Sequence, residues 1–341
     1  MSELAMINEL MEISEKLAND RKQNPVLLAR MEFACKGQSP RFLIISPVTR
    51  SGQDLQLFNM SMGDAFHATR IPGHALLPPD FAPTLFKGPA SFNRDFPHQK
   101  GVIVTFDIDE PLEIIRETIE NISLHHDLNT LPLIAFQIDY QNGRVKLIVH
   151  GKGRTYEYEN ILLSRIRVPD ELDNDLLVLI CSDSRVHPPH SNNGIPMAIR
   201  TLGGYVPEYS GNHDETEQLN EFFQKWLSST GNSKIILVVA HGNFEGEGDS
   251  CAAGTASLNP DTISNPSLKP TIEELKRAAE EFESGPPRNP EDRVKSLSKA
   301  TRANLLTYPA IADAESMFQL TIDELLMDTV TNTLSQSDIF E

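Results

Sequence analysis

The apolar run Leu176-Leu-Val-Leu-Ile180 leads directly into Cys181-Ser-Asp-Ser-Arg-Val186. A continuous run of branched apolar residues is typical of a strand that is buried on both faces, as in a parallel sheet. A second such run spans 235–240, and between the two runs residues 219–227 have apolar positions at helical spacing. Strand, helix and strand in this order predict a βαβ unit.

Chemically useful side chains follow both predicted strands. Cys181 comes after the first strand and His241 after the second, and Cys251 lies beyond His241 with nine residues between them. The carboxyl ends of parallel strands are where α/β folds place ligands. Two thiolates and one imidazole suit zinc, and three protein ligands leave one position open, as in catalytic sites. The structural alternative is a buried, inert thiol at Cys181 and a histidine that only ends a strand.

Asp183 and Arg185 lie two residues apart on the loop after Cys181. At this spacing their side chains can face each other. A carboxylate held by a guanidinium can accept a hydrogen bond from a metal-bound water and orient its lone pair. The loop therefore predicts an acid–base pair beside the metal ligands.

Taken together, these motifs resemble the β-class carbonic anhydrases. The segments that carry the resemblance are Cys181–Val186, the Arg200-Thr-Leu-Gly203-Gly204 element, the strand that ends in His241, Cys251, and the tail segments 302–309, 318–322 and 328–332. They cover about half of the chain, from 170 to 341. The family usually has His-x-x-Cys, so this chain resembles a divergent member with a long His-to-Cys interval, as in the carboxysomal-shell lineage.

The resemblance implies a zinc lyase that reversibly hydrates carbon dioxide to bicarbonate by zinc-bound hydroxide. It implies one Zn²⁺ per chain, a small-molecule substrate, and a homodimer or higher homo-oligomer. The implied roles are metal ligation by Cys181, His241 and Cys251, a catalytic dyad of Asp183 and Arg185, and a substrate pocket at Gly203 and Gly204.

Other interpretations stay open at this point. The same scaffold could hydrolyse carbon disulfide or carbonyl sulfide, or the chain could be a degenerate homologue that acts as a scaffold or interaction protein. A cysteine at a strand end can also serve as a nucleophile. His187 and His190 offer an alternative metal set, or are solvated loop residues. Glu245, Glu247 and Asp249 form either a gate over the site or a solvated loop.

Residues 1–168 are predicted to form an α+β domain of unknown role, and residues 169–341 the β-carbonic-anhydrase-like zinc domain. The expected fold class is α/β, with a mainly parallel central sheet flanked by helices in the C-terminal domain. In the first domain, Gln141-Asn-Gly143 between two alternating segments predicts a β-hairpin. In the second domain, Thr271-Ile-Glu-Glu274 predicts the start of a helix. No internal repeat is visible in the sequence.

Composition excludes several classes of protein. The chain has 48 acidic and 30 basic residues, which gives a formal net charge of −18. Such a chain lacks the basic surface that nucleic acid or an anionic membrane requires. Three cysteines are too few for a disulfide framework, and the N-terminus lacks the pattern of a secretory signal, so we expect a cytoplasmic protein.

Overall fold

A computed structural model describes residues 3–78, 96, 101–125, 127–149, 166–229, 233–244, 249–266 and 268–336. Its strands are β1 (Phe42–Pro47), β2 (Ala65–Arg70), β3 (Gly101–Asp107), β4 (Leu133–Asp139), β5 (Arg144–Val149), β6 (Leu172–Cys181), β7 (Ile195–Thr201), β8 (Lys234–Gly242), β9 (Leu320–Asp328) and β10 (Leu334–Gln336). Its α-helices are α1 (Glu3–Gln23), α2 (Pro25–Ala34), α3 (Ser51–Leu57), α4 (Leu112–Leu124), α5 (Asp214–Leu227), α6 (Ala252–Leu258), α7 (Lys269–Glu280), α8 (Pro290–Leu305) and α9 (Pro309–Ser316).

The strands form two five-stranded sheets with helices packed against them. The N-terminal sheet has the order β2-β1-β3-β4-β5, and the C-terminal sheet has the order β7-β6-β8-β9-β10. In each sheet only the last pair is antiparallel. The predicted α/β class is therefore confirmed, and so is the hairpin at Asn142-Gly143. The N-terminal sheet is more parallel than the α+β prediction implied, because its apolar strands β1 and β3 are buried along most of their length.

The side chains of β6 point alternately to the two faces of the C-terminal sheet, which explains why helices cover both faces. Val178 and Ile180 pack into one apolar cluster with residues of α7 and α8. Leu177 and Leu179 pack into another with residues of α5 and α9. Successive side chains of a strand point to opposite faces, so a run without polar residues needs a helix layer on each side.

The two sheets repeat one plan. Besides the shared strand order, both antiparallel hairpins begin with an aspartate turn. The carbonyl of Asp139 accepts a hydrogen bond from Gly143 N at 2.8 Å, and the carbonyl of Asp328 accepts one from Asn332 N at 2.9 Å. Gly143 and Asn332 both adopt left-handed backbone angles, with φ of 67° and 56°. The chain thus contains an internal structural repeat that is not visible in its sequence.

Corresponding strand ends of the two repeats carry different side chains. Asp107 pairs with the residue before Asp139, and His241 pairs with the residue before Asp328, so Asp107 and His241 occupy equivalent positions. Strand β1 ends in Ser46-Pro47, whereas the equivalent strand β6 ends in Cys181. The N-terminal repeat therefore has the plan of the C-terminal one without its thiolate and imidazole.

The N-terminal residues also pack against the C-terminal sheet. Ile7 and Leu10 of α1 belong to the apolar cluster of that sheet. Edge strand β2 lies beside edge strand β7, where Arg200 N donates to Thr69 Oγ1 at 3.2 Å and Ala198 N donates to Val48 O at 3.1 Å. These contacts join the two halves along one seam. No described helix is both long and apolar enough to cross a membrane.

Two local predictions have different outcomes. Leu4, Ile7, Met11 and Leu17 have helical spacing and predict a helix from about Glu3 to Asn24, which α1 confirms. The capping box at Thr271 is wrong, because α7 begins at Lys269 and Thr271 lies inside it, among its buried residues. Six prolines predict irregular structure for the segment 68–98, and most of that segment lies outside the described residues.

Asp54 of α3 gives a prediction about stability. The fully buried carboxylate accepts hydrogen bonds from the hydroxyls of Tyr140 and Thr105, and burial raises the pKa of Asp54 to about 6. An acid with a raised pKa stabilises the fold when protonated, and that contribution is lost as pH rises. We expect this group to lower the unfolding free energy by about 3 kcal/mol in all, with most of the decline between roughly pH 4 and pH 6.

Urea unfolding over this pH range tests the expectation. Asp54→Asn should remove the decline, because an amide does not ionise, and the exposed control Asp313→Asn should keep it. Equal pH slopes for wild type and Asp54→Asn would contradict the assignment.

Candidate metal centre

Three predicted ligands converge at the carboxyl edge of the C-terminal sheet. Cys181 ends β6, His241 lies at the penultimate position of β8, and Cys251 precedes α6. One ligand atom from each of the three lies within 4.8 Å of the others, and all three residues are buried. The nine-residue interval therefore does not keep Cys251 away from the other two side chains.

The donor set fits a tetrahedral metal ion. Zinc–sulfur bonds of about 2.3 Å place tetrahedral ligand atoms about 3.8 Å apart. This separation is below the 4.8 Å within which the three ligand atoms of this site lie. The ring of His241 is oriented through Nδ1, which lies 3.0 Å from Thr329 Oγ1. Its Nε2 is buried and has no hydrogen-bond partner among the described residues. A buried imidazole nitrogen that lies beside two thiols and has no hydrogen-bond partner is expected of a histidine that binds a metal ion.

Backbone and thiol contacts favour an ionised sulfur at Cys181. The hydrogen bond from Cys251 lowers the pKa of Cys181, and the nearby His241 adds to this effect against the opposing effect of burial. The N–H of Gly203 donates to Cys181 Sγ at 3.3 Å. Gly203 has a φ of 69°, in the left-handed region that favours glycine. Gly203 thus contacts the candidate ligand Cys181, and a substrate pocket at Gly203 and Gly204 stays a prediction.

Asp183 and Arg185 form an intact, buried ion pair. Arg185 Nη2 donates to Asp183 Oδ2 at 2.7 Å, and Arg185 Nε donates to Asp183 Oδ1 at 3.0 Å. Burial alone would raise the pKa of Asp183, but the charge and hydrogen bonds of Arg185 outweigh it and leave the pKa below its ordinary value. The carboxylate is directed to the guanidinium and lies outside the three-residue ligand cluster.

Arg185 also fixes the loop that carries Cys251. Its Nη1 donates to the carbonyl of Asp249 and its Nη2 to the carbonyl of Ser250, both at 2.9 Å. One guanidinium therefore orients the Asp183 carboxylate and anchors the two residues before the third candidate ligand. This second role was not predicted, because the contact joins segments far apart in sequence.

The N-terminal half contacts both loops of the site. Gly63 N donates to Ser184 O at 2.8 Å, and His67 N donates to Ser182 O at 3.2 Å. Ser184 N donates to Gln38 Oε1 at 3.3 Å, and Asp249 N donates to the carbonyl of Cys35 at 3.1 Å. Most of these contacts involve main-chain atoms, which leave no signal in residue types. Sequence reasoning missed them for this reason, and it missed Thr329 because its side-chain contact with His241 joins segments far apart in sequence.

Gly37 makes the contact between the halves testable. Its φ is 111°, and a Cβ added there would lie 3.0 Å from Asp249 Oδ2. Gly37→Ala should displace the loop before Cys251 and weaken metal binding about tenfold, the cost typical of a lost supporting contact. The measurement is metal affinity by chelator competition.

Gly73 supplies the matched control. Its φ is 81°, and no described atom lies within 4 Å of an added Cβ. Gly73→Ala should also lose stability because of its positive φ, by about 1–2 kcal/mol, and should keep an unchanged metal affinity. If both variants bind metal equally well, the proposed support by Gly37 is wrong.

The remaining candidates lie elsewhere. His187 and His190 are outside the three-residue cluster formed by the described residues, so the alternative metal set does not form there. Glu245 and Glu247 lie outside the described part of the chain, and Asp249 belongs to the loop that Arg185 anchors.

Solved structures provide the comparison with known proteins. The chain is similar to the β-carbonic anhydrase CcaA, with 20% identity, 54% of this chain and 87% of that chain covered, and a TM-score of 0.36. It is similar to tetrameric β-carbonic anhydrases from the filamentous ascomycete Sordaria macrospora, with 19% identity, coverages of 48% and 80%, and a TM-score of 0.36. It is also similar to the apo form of a carbon disulfide hydrolase, with 17% identity, 54% of this chain and 91% of that chain covered, and a TM-score of 0.27.

No protein-family model matches the sequence, and no curated protein matches it significantly. The solved structures to which the chain is similar include the class of protein that its motifs resemble, the β-carbonic anhydrases.

Proposed function

We propose that this protein is a zinc lyase that reversibly hydrates carbon dioxide to bicarbonate. The observation that carries the proposal is the convergence of Cys181, His241 and Cys251 beside an intact Asp183–Arg185 pair. A buried Cys₂His set with three ligands is typical of a catalytic zinc site that keeps one position open. The resemblance of the motifs to the β-class carbonic anhydrases agrees with this assignment.

Each side chain then has a defined task. Cys181, His241 and Cys251 would hold the ion, and Thr329 fixes the ring of His241 so that its other nitrogen faces the two thiols. Zinc bound there would supply hydroxide at neutral pH by lowering the pKa of a water molecule to about 7. Asp183, kept ionised and fixed by Arg185, would accept a hydrogen bond from a hydroxyl group beside it and set the direction of its lone pair.

Stopped-flow hydration of carbon dioxide by the purified full chain tests the proposal, with zinc content measured on the same sample. Hydration far above background that is lost on chelation and restored by zinc is the expected result. A sample with about one zinc per chain and no hydration would overturn the assigned reaction. Assays with carbon disulfide and carbonyl sulfide would then test hydrolysis on the same scaffold. A chain that folds without zinc and shows no activity would support a scaffold role instead.

We also propose that the N-terminal half serves the site as an internal support, since residues 35–38 and 63–67 contact both loops that carry site residues. A homodimer or higher oligomer and a cytoplasmic location remain predictions from the resemblance and the composition. Sedimentation equilibrium of the full chain would give the oligomeric state.

A further inference from the structure

A cavity of about 180 Å³ lies where the two halves meet, away from the three candidate metal ligands. Helix α1 contributes Arg21 and Leu17, and α3 contributes Gln56. The C-terminal half contributes the segment 187–190 and Asn332. This seam cavity, as we call it, is a feature of the whole chain, since neither half forms it alone.

The seam cavity is basic in an acidic protein. The chain has a net charge of −18, yet none of the described residues that line the cavity has a carboxylate. Arg21, His187 and His190 all line it. His187 Nε2 is buried and has no hydrogen-bond partner among the described residues. An unpaired buried nitrogen costs free energy, so a hydrogen-bonding group that reached this ring would stabilise the fold around His187.

We propose that the seam cavity binds a small oxyanion. One guanidinium and two imidazoles offer several N–H donors, and the guanidinium is suited to oxyanions. A metal cation is disfavoured because the arginine would repel it. The volume equals about six water molecules in the liquid, at roughly 30 Å³ each. It is below the roughly 300 Å³ at which drug-sized ligands begin to fit, so the ligand class is an inorganic oxyanion such as phosphate, sulfate or bicarbonate.

The charges around the two histidines make this binding depend on pH. Burial, the largest effect, and the nearby Arg21 lower the pKa of both His187 and His190. Arg200 adds to this effect at His187, and Asp170 opposes it at His190. A bound anion reverses the balance by favouring the protonated rings. Binding is therefore tighter at mildly acidic than at mildly alkaline pH.

The cavity is connected to the candidate metal centre through the turn after β9. Asn332 Oδ1 accepts a hydrogen bond from His187 N, and Asn332 Nδ2 donates to the carbonyl of Arg185, both at 3.0 Å. Arg21 Nη1 donates to the carbonyl of Thr331 at 3.0 Å. Thr329 of the same turn contacts His241. Cavity and metal centre thus share one short segment, although anion binding does not depend on the proposed function.

Isothermal titration of the full chain with sodium phosphate, sodium sulfate and sodium bicarbonate in separate runs tests the proposal. Leu17, a half-buried residue that lines the cavity, offers a charge-specific pair of variants. Leu17→Glu should weaken binding at least about tenfold, because it places a carboxylate in the cavity, while Leu17→Gln should bind like wild type. His190→Gln should also weaken binding, whereas His74→Gln, which is paired with Glu221 in another cavity, should not.

The outcomes separate clearly. An anion that binds the wild-type chain and binds Leu17→Glu more weakly is thereby identified as a ligand of the seam cavity. Equal affinities for Leu17→Glu and Leu17→Gln would place the anion elsewhere and overturn the proposal. Absence of binding for all three anions at mildly acidic pH would overturn it as well. None of these readouts uses the hydration assay, so a failure of the proposed function would be recognised separately.

Discussion

Replacing Asp183 with asparagine is expected to leave the zinc content unchanged and to lower carbon dioxide hydration by about 100- to 1,000-fold, the range typical for loss of one group that stabilises a transition state. The zinc content should persist because Asp183 is outside the ligand cluster and bonded to Arg185 instead. Turnover should fall because the amide lacks the negative charge. Its NH₂ group would also face the N–H donors of Arg185 or the reacting hydroxyl, where an acceptor is needed.

Stopped-flow hydration and metal analysis on the same preparation measure the two quantities. Asp173→Asn is the matched control, since Asp173 is a buried aspartate of β6, the strand that precedes the Asp183 loop, and accepts a hydrogen bond from Ser191 far from the site. It should keep both zinc and turnover. Full turnover in Asp183→Asn would refute the role of Asp183, and loss of zinc in that variant would show that the residue supports the metal instead.

The sequence permits prediction of the parts of the site that local rules govern. Cys181 and His241 follow apolar strands, and parallel strands deliver their carboxyl ends to one edge of a sheet. The pairing of Asp183 with Arg185 follows from their spacing on one loop. These three inferences need no knowledge of distant contacts, and the structure places the residues accordingly.

The position of Cys251 needed more than local rules. Its loop is anchored by Arg185 on one side and by the carbonyl of Cys35 on the other. Both contacts join segments distant in sequence and use main-chain atoms on at least one side. Residue types along the loop, mostly glycine and acids, give no sign of them. A spacing argument alone therefore left open whether the thiol reaches the other two ligands.

The internal repeat was hidden for a related reason. What the halves share is strand order and a turn geometry, which different residues satisfy, such as Gly143 in one half and Asn332 in the other. What they do not share is chemistry, since Asp107 occupies the position of His241. Backbone constraints tolerate many sequences, whereas a metal site does not. The repeat is thus visible in the hydrogen bonds and strand register of the structure but not in the amino-acid sequence.

Replacing Cys251 with serine is expected to lower zinc affinity by more than about 100-fold, a larger loss than supporting contacts cause. A serine hydroxyl does not ionise as a thiol does, so the ion would keep only Cys181 and His241 as strong ligands. Chelator competition measures the affinity. The absorption spectrum of the cobalt-substituted protein reports the number of sulfur ligands independently of activity.

The third cysteine of the chain is the matched control for this variant. Cys35 contacts the same loop, but through its carbonyl, which accepts the hydrogen bond from Asp249 N. Cys35→Ser retains that carbonyl and should bind zinc like wild type. Wild-type affinity in Cys251→Ser would remove this residue from the ligand set and leave the ion without a third protein ligand among the described residues. An equal loss in both variants would mean that the shape of the loop, rather than the Cys251 sulfur, determines metal binding, because only then would a change that spares the ligand be as harmful as one that removes it.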